Sequence, residues 1–97
     1  MTANASSQRT DRRFEITQDG MVSYLAYESD GMEWISLLYT EVAAPLRGRG
    51  ISKELAKMAF EYAKENGLKV EVICPVALHF ALKHPEYKSL IKPRHHS

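Results

Sequence analysis

An excess of charge of either sign is lacking in this sequence: 13 basic and 12 acidic residues among 97 leave a formal net charge of +1. Affinity for a phosphate backbone comes from a basic excess, so nucleic acid is not an expected partner. There is one cysteine, Cys74, and it cannot close a disulfide within the chain. No apolar run approaches the length that crosses a bilayer, and none opens the chain as a secretory leader would. The expectation is a cytoplasmic protein in a reducing compartment, off the membrane, as a monomer or weak homodimer. Repeats and low-complexity tracts are absent. His79 and His84 are spaced for different faces of a helix, and Cys74 does not complete a recognised ligand set with them, so no metal is predicted.

What is present is enough for one domain with a modest core. Residues 1–12, "MTANASSQRTDR", are polar and without periodicity, which predicts a flexible tail. Residues 13–91 form the expected domain, and 92–97 a second polar tail. Between Arg13 and Val42 two Asp-Gly pairs, at 19–20 and 30–31, separate runs rich in β-branched and aromatic residues. Asp-Gly suits the positive φ angles of tight hairpins, so "RFEIT", "MVSYLAYE" and "MEWISLLYTEV" read as a three-stranded antiparallel meander. Phe14 and Ile16 alternate with polar residues, whereas the third run is apolar on both faces and should be central.

The period then changes. Ile51, Leu55, Met58 and Tyr62 form a helical stripe with Ala59 and Ala63 beside it, and Asn66-Gly67 supplies a left-handed stop. "LKVEVIC" reads as a strand with Val70, Val72 and Cys74 on one side. "VALHFALKH" reads as a short helix between Pro75 and Pro85. Strand, helix, strand implies a crossover, with the new strand parallel to "MEWISLLYTEV". The fold class is α/β with a small mixed sheet.

Between the central strand and the helix stands "PLRGRGIS", with Arg47 and Arg49 at a helix start, where the helix dipole disfavours cations. The arrangement makes sense if an anion sits between them and the helix. Glycines let backbone approach a ligand, unpaired amides point outward, and arginine forks grip phosphate oxygens. The loop is neither of two familiar phosphate binders. The G-x-x-x-x-G-K spacing of nucleotide hydrolases is missing, and Lys53 stands where a dinucleotide fingerprint needs its third glycine.

With "VAAPLRGRGIS", followed by "KELAKMAFEYAKENGLKV", "CP" and "HPEY", the chain resembles the GNAT superfamily of acyl-CoA-dependent N-acetyltransferases, in a compact short-chain branch, over about residues 13 to 90. The family loop runs Gln or Arg, two residues, Gly, one residue, then Gly or Ala. Here Arg47, Gly50 and Ser52 occupy those places, and Tyr39 stands where the branch often has His. The resemblance implies acetyl-CoA as cosubstrate and an amine as acceptor. Val42 and Ala44 would pair with the pantetheine arm, and the backbone of Arg47, Gly48, Arg49, Gly50, Ile51 and Ser52 would hold the pyrophosphate. The thioester would lie near Tyr39, Glu41 and Cys74, the candidate catalytic residues. Glu41 is a candidate base and Tyr39 a candidate acid, each with an ordinary structural alternative. Cys74 is open between core residue, site wall and nucleophile. A CoA-binding or interaction module without catalysis is the alternative function.

Overall fold

Asp19 and Gly20 both take left-handed backbone angles, φ 53° and 77°. That is the requirement of a two-residue hairpin turn, and it joins strand β2 (Arg13–Gln18) to β3 (Met21–Ser29) with Gln18 opposite Met21. The second Asp-Gly pair does something different. Asp30 Oδ1 accepts from the N–H groups of Met32, Glu33 and Trp34 at 3.0, 2.8 and 3.1 Å. These bonds hold its carboxyl below the usual range, and the side chain organises a longer loop before β4 (Trp34–Glu41) in place of a tight hairpin.

The computed structural model describes residues 5–92. Its sheet has five strands in the order β1-β2-β3-β4-β5, the first four antiparallel and β5 (Lys69–Val72) parallel to β4, as the crossover predicts. The expected flexible tail needs correction. Residues Ala5–Arg9 form β1, paired with β2 from Ala5↔Gln18 to Arg9↔Phe14. All five side chains are exposed, so no alternation of hydropathy marks the strand. It is held by backbone pairing and by Arg9, which donates to Tyr27 Oη at 2.9 Å and lies 4.3 Å over the Tyr62 ring. A short polar strand also suits a sheet edge that must not recruit another chain. The first four residues of the tail, and 93–97 of the second, lie outside the described residues.

Helix α1 (Ile51–Glu65) lies across β2, β3 and β4. The core between them contains Phe14, Leu25, Ile35, Leu37 and Val70 from the sheet and Ile51, Leu55, Ala59 and Ala63 from the helix. The predicted stripe is turned slightly in the structure: Phe60 and Ala56 are fully buried, while Met58 and Tyr62 sit at its margin. The cause is a second neighbour. Helix α2 (Pro75–Lys83) packs beside α1, and Phe60 stacks with Phe80 and Tyr87 at ring distances of 6.1 and 5.2 Å. A 3₁₀ turn over Pro85–Leu90 closes this cluster, with Tyr87 Oη bonded to the Glu61 carboxylate.

Candidate functional site

Two features of the sheet open a cleft. Strand β5 pairs with β4 only from Trp34↔Lys69 to Leu37↔Val72, and there it turns away. The Leu37 carbonyl accepts both Ile73 N–H and Cys74 N–H at 2.9 Å, which fixes the point of departure. β4 runs on through Leu38 to Glu41 with no strand beside it on that side among the described residues. Backbone groups along this stretch can therefore pair with an extended ligand. The second feature is a bulge in β4. Tyr27 faces Leu37 and Ala26 faces Tyr39, leaving Leu38 as the extra residue.

The bulge decides where the candidate catalytic residues go. Directly opposed residues share a sheet face, so Thr40, opposite buried Leu25, lies on the helix side, while Tyr39 and Glu41 lie on the open side. The Tyr39 side chain is exposed and meets the Tyr24 ring edge-on at 6.1 Å. It is not the core residue its apolar neighbours suggest. Glu41 is exposed, with Oε2 3.9 Å from Arg47 Nη2. Cys74 is 1% exposed and its Sγ is 3.2 Å from Thr40 Oγ1. The structure thus brings Cys74 to Thr40 and Tyr39 to Tyr24, on opposite faces of the strand. Thr40 was missed by the sequence reading because the bulge reverses the simple alternation of β4.

The loop after β4 is pinned by Leu46, buried within a 3₁₀ turn over Ala44–Leu46, and by Ala43 N–H donating to the buried Ser23 hydroxyl at 3.0 Å. The chain then reaches Gly50, the N-cap of α1, at φ 82°. A Cβ placed there would meet nothing within 4 Å. No side chain caps this helix start, so its first amides have no side-chain acceptor there. A hollow of about 290 Å³ lies against them and gathers Val42, Arg47, Gly48, Gly50, Ile51 and Ser52 of the predicted set, with Leu46 and Lys53 in addition. Ala44 and Arg49 do not line it. Arg49 turns the other way, with Nη1 3.5 Å from Asp19 Oδ2 on the β2–β3 turn. Arg47 Nε donates to the Val42 carbonyl at 3.3 Å. Both arginines escape repulsion by the helix end through these surface contacts, which are individually weak enough to open.

The open sheet face carries a broad groove of about 770 Å³, lined by Asp11, Arg12, Arg13, Glu28, Trp34 and Tyr39 among others. The hollow at the start of α1 thus differs from the groove on the open face, which carries aromatic rings and charges of both signs. Among the described residues there is no group of His, Cys, Asp and Glu able to hold a metal, and no helix is long and apolar enough to cross a membrane.

Residues 13–90 match the family model described as GCN5-related N-acetyl-transferase. The chain is 33% identical over 89 residues to Protein NATD1 of Xenopus tropicalis, covering 88% of this chain and 82% of that one. It is 34% identical over 89 residues to Protein NATD1 of Bos taurus, covering 88% and 79%. The NMR solution structure of a GCN5-like protein from Staphylococcus aureus superposes with a TM-score of 0.71 at 27% identity, covering 96% of this chain and 93% of that one.

Proposed function

The chain belongs to the GCN5-related N-acetyltransferase family, and on that premise we propose that it binds acetyl-CoA and transfers the acetyl group to an amine. The observation that carries the proposal is the joining of the free edge of β4 to the uncapped start of α1. An extended amide-bearing arm fits the first, and a pyrophosphate fits the second. The residues present suit both groups: open space at Gly50, an anion-favouring helix end, and Arg47 beside it.

In the proposed reaction the amine nitrogen attacks the thioester carbonyl, the carbon–sulfur bond breaks, the amine loses a proton and the departing thiolate gains one. Backbone N–H groups in the cleft stabilise the developing oxyanion. Glu41 takes the amine proton, directly or through water, and the Tyr39 hydroxyl, on the same sheet face, gives one to the thiolate. Arg47 Nη2 lies 3.9 Å from Glu41 Oε2. Drawing Arg47 toward a pyrophosphate would release that carboxylate for proton transfer. Cys74, enclosed against Thr40, serves as a wall, and the transfer is direct. The acceptor enters from the open groove, whose lining combines aromatic rings with charged side chains of both signs.

Titration calorimetry with acetyl-CoA, followed by thiol release in the presence of a panel of amines, tests the proposal. Binding and amine-dependent release are expected. Binding without release across polyamine and lysine acceptors would favour a CoA-binding module, and absence of binding would reject the site.

A further inference from the structure

Strand pairing sets three side chains in one row across the open face of the sheet. Arg13 of β2 stands opposite Ala26 of β3, and Ala26 stands opposite Tyr39 of β4, so the three share a face. Neighbouring strands are about 5 Å apart, which places Arg13 and Tyr39 about 10 Å apart across Ala26. All three line the broad groove. A methyl group between two long side chains leaves a trough along the row, with a phenol at one end and a guanidinium at the other.

The adjoining row holds both ends in place. There Tyr24 stands between Glu15 and Glu41. The Arg13 guanidinium carbon lies 3.9 Å from the centre of the Tyr24 ring, and Tyr39 meets that same ring edge-on at 6.1 Å. Stacking on a ring face leaves the in-plane N–H fork of an arginine free to grip a carboxylate. Glu15 competes little for it: Oε2 is 4.0 Å from Arg13 Nη1, beyond hydrogen-bonding reach, and Oε1 already accepts from Gln8 Nε2 at 2.7 Å. Arg12 and Arg13 are balanced in the groove by Asp11 and Glu28. Such a lining gives a polycation no net attraction and suits a ligand that itself carries both signs.

We propose that the acceptor is an amino carboxylate, an amine with a carboxylate at its far end, and that Arg13 is the residue that selects it. The inference rests on the acetyl-transfer reading above. In this arrangement the reacting amine lies beside Tyr39 and Glu41, the aliphatic chain crosses Ala26, and the carboxylate meets the Arg13 fork in paired hydrogen bonds. An extended chain of about six carbons, with a contact of about 3 Å at its carboxylate, fills the span.

Rates of thiol release from acetyl-CoA by the full chain, with ε-aminocaproate and with hexylamine as acceptors, test this. The two amines differ at the far end, where one has a carboxylate and the other a methyl group. The expected kcat/KM is about ten- to hundredfold higher for ε-aminocaproate, the ordinary effect of a charge-assisted contact. Arg13→Gln should erase that preference by slowing ε-aminocaproate alone, with hexylamine unchanged. Arg13→Lys should keep part of it, because the ammonium retains the charge and loses the fork. Equal rates for the two amines in the wild type, a preference for hexylamine, or a preference that survives Arg13→Gln would overturn the inference and leave the acetyl-transfer reading standing. A loss of equal size with both amines in Arg13→Gln would mark the arginine as structural and overturn it as well. Absence of thiol release with every amine would overturn the underlying reading and this inference with it.

Discussion

Replacing Gly50 by alanine separates backbone strain from ligand recognition, provided Gly20 is replaced in parallel. The two positions are nearly matched: φ is 82° at Gly50 and 77° at Gly20, and an added Cβ meets nothing within 4 Å at either. Neither substitution creates a clash, so each should cost only the left-handed penalty of an L-residue, roughly 1 to 2 kcal/mol. In a domain of this size each kcal/mol lowers Tm by about 4–8 °C. Both variants should therefore melt lower by a similar amount in differential scanning calorimetry. Their responses to acetyl-CoA should diverge. Gly20 lies in the β2–β3 turn and does not line the loop hollow, whereas Gly50 does. Gly20→Ala should retain wild-type affinity in titration calorimetry once the protein is kept well below its melting temperature. Gly50→Ala should lose about tenfold or more, because its methyl group occupies the space where a pyrophosphate oxygen approaches the backbone. Equal affinity in the two variants would refute the assignment of the loop, whatever their stabilities.

Phe60→Ala should cost roughly 3–5 kcal/mol, since the ring is wholly buried between the sheet and the Phe80–Tyr87 cluster, and urea unfolding monitored by circular dichroism measures it. Burial, then the bond to Glu61, pushes the Tyr87 hydroxyl up to about 12. A folded-state value above the unfolded one contributes stability below about pH 10 that is lost as pH rises toward about 12, amounting to about 2–3 kcal/mol. Tyr87→Phe should flatten that alkaline decline in denaturation midpoints, and an unchanged slope would refute it. Cys74 should alkylate far more slowly in the folded than in the unfolded protein, and more slowly again under saturating acetyl-CoA, with no acetyl adduct by mass spectrometry. A kinetically competent acetyl-Cys74 would replace direct transfer by a covalent route.

Local chemistry determined the ordered scaffold of this chain. Asp19-Gly20 specifies its turn through backbone angles that few other pairs adopt, and α1 begins after Gly50 and ends at Asn66-Gly67 as its apolar spacing and stop residues require. The order of period-two and period-3.6 segments was enough for the parallel pairing of β5 with β4. The proposed anion-binding loop was legible for the same reason: glycines and arginines before an uncapped helix carry their meaning within a few residues. Tertiary structure decided the rest. β1 has no apolar face, so only the neighbouring β2 edge could make Ala5–Arg9 a strand. Phe60 is central because α2 packs on a side of α1 that the helical stripe alone does not identify. One extra residue at Leu38 places Tyr39 and Glu41 on the face opposite Thr40 and Cys74, and Arg49 finds its partner in a turn distant in sequence. Each of these depends on which surfaces meet, and a pattern confined to a dozen consecutive residues holds no record of its partner.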